Sequence, residues 1–230
     1  MQNDKLDELL NFLSIKFKDR KTLSQAFYHR SYLNEVKGEL KSNERLEFLG
    51  DSVLSLITSD ALFNLRKEDA EGDLTNLRAY IVKTNSLAKA AKKLNLGKYL
   101  KLSKGEEMGG GRENPQLLAN TYEALLGAIF LDQGLEVVKR VVEQTLLALF
   151  EKELKSGPPK DAKSNLQEIV QEKYKQSPHY KIVGTKGPDH AKEFTVAVYI
   201  SGKEYGKGSG ASNQVAEEQA AIQALGKLIK

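Results

Sequence analysis

The sequence predicts an all-α domain over residues 1–153 and a small α+β domain, ordered α-β-β-β-α, over residues 163–230. Three observations carry this. Apolar residues recur at intervals of three and four through the first 153 positions, the spacing of amphipathic helices. The stretch "LKSGPPKDA", residues 154–162, sets two prolines and a glycine among charged residues and reads as an exposed linker. Beyond it, three runs of strand character lie between two helical runs.

Taken in order, "LDELLNFL" opens the helical part, and "EVKGELKSN" marks a loop. "LEFLGDSVLSLITSDALFNL" and "DLTNLRAYIVKTNSLAKAAKKL" are helical by spacing. The glycine-rich "SKGEEMGGGREN" breaks the pattern before "NPQLLANTYEALLGAIFLD" and "LEVVKRVVEQTLLALFEKEL" resume it. "NPQLLANTYEALLGAIFLD" is apolar nearly all round, which predicts a central buried helix. After the linker, "KSNLQEIVQEKYKQ" is a helix. "HYKIVGTKG", "KEFTVAVYISG" and "KEYGKGSG" are strands, the last two joined by the turn "SGK". "SNQVAEEQAAIQALGKLI" closes as a helix with Ser212 as its expected N-cap.

With 230 residues, 40% of them hydrophobic, the chain has the material for two packed cores. No run of about 18 apolar residues suggests a membrane span. The start, "MQNDKLDELLNFL", is acidic and amphipathic, unlike a signal peptide. Cysteine is absent, which excludes disulfides and thiolate metal sites and fits a cytoplasmic location. The net charge is +4, and the segment beyond residue 155 has lysine but no arginine. Its basic excess is a weak pointer to a polyanion partner.

Within "ERLEFLGDSVLSLI", residues 44–57, Glu44, Glu47 and Asp51 interrupt an apolar run. Their spacing of i, i+3 and i+7 puts them on one helix face. A solvated face would explain them, and so would a cation, because an unpaired buried carboxylate costs several kcal/mol. The central helix adds Asn120 and Glu123, three apart and on the same face as Gly127. Gly50 and Gly127 lack side chains and permit close helix approach. Oxygen ligands on two facing helices resemble metal sites in helical bundles and suit Mg²⁺ or Mn²⁺. Zinc does not fit, since His29, His179 and His190 are scattered.

"NERLEFLGDS", followed at the expected separation by "YEALLGAIFLD", resembles the signature of bacterial ribonuclease III. "EGDLTNLRAYIV" and "ENPQLLAN" fit the same family, and residues 163–230 resemble a double-stranded-RNA-binding domain. The resemblance spans essentially the whole chain. It implies a double-strand-specific endoribonuclease that processes ribosomal and other structured RNA precursors. Hydrolysis would depend on Mg²⁺, with Mn²⁺ able to substitute, and would leave 5′-phosphate and 3′-hydroxyl ends with two-nucleotide 3′ overhangs. Glu47, Asp51 and Glu123 would be metal ligands, joined by Asn120. Glu44, Asp51 and Glu123 would be catalytic, and Glu71 a further supporting acid. The family is a homodimer in which Phe48 would pack across the interface; core burial is the other reading of Phe48. No organic cofactor and no membrane partner are implied.

Two departures from the family pattern stand out. Asn120 occupies the place of an Asp, so the alternative function is a duplex-RNA-binding protein with a weakened or silent catalytic site. In the tail, the resemblance implies that Gln167 and Glu168 touch one minor groove and that His190, in the loop "GPDH", reaches the next. Ser212, Asn213 and Gln214, at the start of the last helix, would meet the phosphates between them. Asn213, Gln214 and Val215 stand where the family usually has basic residues, which predicts weaker phosphate binding. Lys203 and Lys207 are candidates to compensate.

Overall fold

The computed structural model describes residues 2–36, 38–159, 161–188 and 192–228. The chain divides into two compact units, residues 1–158 and 159–230. The first unit contains α1 (Gln2–Leu13), α2 (Arg20–Gln25), α3 (Arg30–Leu33), α4 (Glu44–Leu65), α5 (Glu71–Val82) and α6 (Thr84–Lys93). It continues with α7 (Lys104–Met108), α8 (Pro115–Gln133), α9 (Leu135–Thr145) and α10 (Glu151–Ser156).

The expected central helix is α8. Asn114 caps it by accepting hydrogen bonds from the backbone N–H groups of Gln116 (2.9 Å) and Leu117 (3.4 Å), and Pro115 takes its first position. Leu118, Tyr122, Leu125, Leu126 and Ile129 are buried along it. They pack in one core with Leu54, Ile57 and Leu62 of α4, Leu77 and Ile81 of α5, and Val138 and Val142 of α9. Inside that core Tyr122 Oη and Thr145 Oγ1 lie 2.7 Å apart, so the buried phenol keeps a hydrogen-bond partner. At the far end of α8, Asp132 accepts hydrogen bonds from the backbone N–H groups of Lys18 and Asp19. The carboxylate thereby fixes the link between α1 and α2 against α8.

Two close approaches set the α4–α8 crossing. A Cβ added to Gly50 would stand 1.8 Å from the Glu123 carbonyl oxygen, and one added to Gly127 would stand 2.2 Å from that of Leu46. Any side chain at either glycine would force the helices apart.

The expected linker is shorter in the structure. Helix α10 continues through Ser156, and Arg66 donates to the carbonyl oxygen of Leu154 and to that of Lys155. On the other side, helix α11 (Ala162–Tyr174) begins with Ala162 already buried. The Asp161 side chain caps α11, and the Ala162 N–H donates to Glu218.

The second unit sets α11 and α12 (Asn213–Leu228) on an antiparallel sheet of order β1-β2-β3. Its strands are β1 (His179–Lys186), β2 (Glu193–Ile200) and β3 (Lys203–Gly210). Ser201 and Gly202 join β2 to β3, both with positive φ (50° and 77°), as a two-residue turn requires. Leu166, Val170, Val198, Ile200, Ala220 and Ala224 form the core. Gly206 and Gly208 let α12 lie on the sheet: added Cβ atoms there would come within 2.4 Å and 2.3 Å of the Ala220 backbone. The Ser212 hydroxyl accepts from the Val215 N–H (3.3 Å), the geometry of an N-cap.

Candidate active site

The α4–α8 crossing decides which acids share a field. With the backbones in contact at Gly50 and Gly127, the face of α4 bearing Glu47 and Asp51 stands beside the face of α8 bearing Asn120 and Glu123. Burial pushes the Glu123 carboxyl up from 4.5 to about 8, and the charges of Asp51 and Glu47 add to the rise. The Glu47 carboxyl is also raised, first by burial and then by Glu44, with Asp51 contributing. A hydrogen bond from Asn120 opposes that rise. Of the acids on this face of α4, Glu47 is partly withdrawn from water.

Glu44 lies in the first turn of α4, exposed. It accepts a hydrogen bond from Ser42 Oγ (2.7 Å) and stands 3.8 Å from the Arg30 guanidinium. Asp51 is exposed one turn beyond Glu47. Glu71 opens α5, where its carboxylate accepts a hydrogen bond from the Thr75 hydroxyl (3.0 Å). Asn120 accepts a hydrogen bond from Gln116 Nε2 (2.7 Å).

Two residues without a forecast role support the site. Asn43 is buried: its side chain donates to the Ala26 carbonyl (3.3 Å), its N–H donates to the Tyr28 carbonyl (2.9 Å), and its own carbonyl accepts from the Glu47 N–H. It ties the start of α4, and so Glu47, to the segment after α2. Gln116 is the second. An N-terminal Asn in "NERLEF" reads simply as a cap, yet its side chain makes no cap bond. The capping pattern gives no sign of this tertiary use.

The donor set is all oxygen, which fits a hard divalent cation, and mutual repulsion among the carboxylates is what such a cation would relieve. Among the described residues, no three Asp, Glu or His side chains are already gathered at ion-holding distance. Binding an ion therefore asks the carboxylates to draw in.

Phe48 is 78% exposed, which excludes the core reading. Leu56 and Phe63 are exposed with it and fall within the same stripe of α4 by helical angle, so α4 presents an unburied apolar face.

In the second unit, Gln167 and Glu168 lie on the exposed face of α11. Asn213 and Gln214 are exposed at the start of α12, and Val215 is 48% exposed. His190 lies outside the described residues. The expected help from Lys207 does not reach the start of α12. Lys207 pairs with Ala197, so strand alternation sets it on the face opposite Val196, Val198 and α12. Its ammonium stands 3.3 Å from the Glu204 carboxylate.

A ribonuclease-III-like family model matches residues 19–149, and a double-stranded RNA binding motif matches residues 162–228. Ribonuclease 3 of Caldanaerobacter subterraneus subsp. tengcongensis is 44% identical, over 97% of this chain and 96% of that protein. Ribonuclease 3 of Geobacillus kaustophilus is 46% identical, over 96% and 90%. Among solved structures, the nuclease domain of ribonuclease III from Campylobacter jejuni is similar, with a TM-score of 0.59 and 40% identity. That match covers 64% of this chain and 99% of that one, whose description reports flexibility in its dimer-forming region. The chain therefore belongs to the ribonuclease III family, the metal-dependent endoribonucleases specific for double-stranded RNA.

Proposed function

We propose that the chain hydrolyses both strands of RNA duplexes with Mg²⁺, or Mn²⁺ in its place, held by Glu47, Asp51 and Glu123 with Asn120 beside them. The products carry 5′-phosphate and 3′-hydroxyl ends with two-nucleotide 3′ overhangs, and the substrates are ribosomal and messenger RNA precursors in the cytoplasm. The carrying observation is the half-buried Glu123, raised to about 8 by burial and by its neighbours Asp51 and Glu47. Such a carboxyl holds a proton until a cation takes its place. Bound there, Mg²⁺ would lower the pKa of water and stabilise charge on the scissile phosphate and leaving oxygen. Glu44 and Glu71 extend the acidic rim. Residues 1–153 act as the catalytic and dimerising domain, and 163–230 as the RNA-binding domain, with Gln167, Glu168, His190, Ser212, Asn213 and Gln214 toward the duplex. The exposed α4 stripe headed by Phe48 supports a homodimer, which pairs two cleavage centres for two strands.

The test is a long RNA duplex incubated with Mg²⁺ or with EDTA. Cleavage is expected in Mg²⁺ alone and is expected to vanish in Glu123→Ala. Cleavage that survives either change would sink the metal assignment. Duplex binding without cleavage by the unaltered chain would favour the silent-site alternative.

A further inference from the structure

Arg66 joins two parts of the nuclease unit that are far apart in sequence. Its N–H donates to the Leu62 carbonyl (2.8 Å) and its own carbonyl accepts from the Asp69 N–H (3.2 Å), so its backbone is fixed at the end of α4. Its guanidinium is mostly withdrawn from water, with Nε and Nη2 at 2.8 Å and 2.7 Å from Asp69 Oδ2. Nη1 donates to the carbonyl oxygens of Leu154 (3.4 Å) and Lys155 at the end of α10. The last carbonyls of a helix have no partner within it, and a planar cation with several N–H groups can serve two of them at once. Helix α10 needs such help. Its six residues are too few to hold a helix on their own. Among the described residues of α10, only Leu154 packs against the apolar core. Directly after α10 come Gly157, Pro158 and Pro159, and Asp161 caps the first helix of the second unit.

We propose that Arg66 is a positioning residue for cleavage: it pins α10 to the turn after α4, so that the free tether between the two units is residues 157–160 alone. This rests on the reading of the chain as a duplex-RNA endoribonuclease whose second unit captures the substrate. Residues 157–160 reach at most about 14 Å fully extended, whereas residues 151–160 would reach about 36 Å with α10 unwound. Effective concentration falls roughly as the three-halves power of tether length. An unpinned α10 therefore lowers the supply of captured duplex to the acids of α4 and α8 about fourfold. Asp69 aims the guanidinium and offsets its charge. The role is mechanical: Arg66 acts through α10, not on the scissile phosphate.

The experiment uses the full chain. Arg66→Met removes every side-chain donor and keeps an unbranched side chain. Hydrogen exchange followed by mass spectrometry is expected to speed up about tenfold or more over residues 151–157, the range of lost hydrogen bonds to a charged group, and to stay unchanged over α8. In Mg²⁺, kcat/KM for a long RNA duplex is expected to fall about three- to fivefold. Mn²⁺ affinity without RNA is expected to stay within about twofold, because the acids are not touched. Inserting a Gly/Ser segment as long as α10 between Pro158 and Pro159 of the unaltered chain lengthens the tether equally. It is expected to give the same fall in kcat/KM with exchange in α10 unchanged. Asp69→Asn, which leaves the guanidinium unaimed, is expected to show the changes of Arg66→Met in smaller measure, and it carries the test where Arg66→Met does not fold. Unchanged exchange in α10, or an unchanged kcat/KM with either the loosened helix or the inserted segment, would overturn the proposal. So would a loss of Mn²⁺ affinity as large as the loss of kcat/KM, since Arg66 would then act on the acids. If the unaltered chain cleaves no duplex while α10 still loosens in Arg66→Met, the endoribonuclease reading fails, and the proposed role with it.

Discussion

Replacing Glu123 by Gln removes a carboxyl that the fold holds against its preference. The folded protein raises this group from 4.5 to about 8, first by burial and then by the charges of Asp51 and Glu47. A carboxyl whose folded pKa lies above its unfolded value costs stability as pH rises between the two, because ionisation is easier in the unfolded chain. The cost is small near pH 5 and close to full above about pH 8. At ~1.4 kcal/mol per pH unit the ceiling is about 5 kcal/mol. Glu123 keeps partial contact with water, and solvent screening about halves the figure, to about 2 kcal/mol. In EDTA, Glu123→Gln should therefore stabilise the metal-free protein at pH 8.5 by about 2 kcal/mol. For a chain of this size that is a rise of roughly 4–8 °C in Tm. At pH 5 the two proteins should melt within about 2 °C of each other. Mg²⁺ at pH 8.5 should raise the Tm of the unaltered protein more than that of the variant, since ligand bound to the folded state stabilises it. Thermal melts followed by circular dichroism at both pH values decide the matter. A gain equal at pH 5 and pH 8.5, or no gain at either, would show that Glu123 is not held in a charge-repelling pocket, and the strongest support for the metal site would go with it.

The unburied stripe of α4 should govern assembly. Phe48→Asp or Phe63→Asp puts a charge where an apolar contact forms, and sedimentation should show a shift from dimer to monomer at micromolar concentration; an unchanged dimer would place the interface elsewhere. Gly50→Ala drives a Cβ to 1.8 Å from the Glu123 carbonyl. It should destabilise by about 3 kcal/mol or more and reduce metal binding as the helices part, and a variant that melts like the parent would contradict the close crossing. Double substitution of Asn213→Lys and Gln214→Lys adds two cations at the start of α12. The slope of log K against log salt for duplex RNA should steepen by up to about 2, with little dependence on duplex sequence; an unaltered slope would mean that this helix end does not face phosphate.

The elements were written in the sequence because their signals are local. Spacing of three and four, the proline pair after Gly157 and the alternation around "FTVAVYI" are properties of neighbouring residues. The association of Glu47 and Asp51 with Glu123 was implied only by the resemblance of their two motifs to one family. The glycines at 50 and 127 were legible as permission for close approach, though not as an obligation. Contacts at the two edges of the linker come from far away in sequence: Arg66 holds Leu154 and Lys155, and Glu218 holds Ala162. The side of the sheet that Lys207 occupies follows from register and from where α12 lies, and no window around Lys207 contains that. Phe48, which the resemblance implied at an interface, is turned outward by the packing of α4. Asn43 and Gln116 act through partners chosen by the folded chain: the carbonyl of Ala26 and the amide of Asn120. What the sequence determined was the list of acids and their helices. The tertiary structure decided how reluctantly Glu123 and Glu47 ionise, because a carboxyl's pKa depends on burial and on the field of groups brought near, and both come from the crossing of α4 with α8.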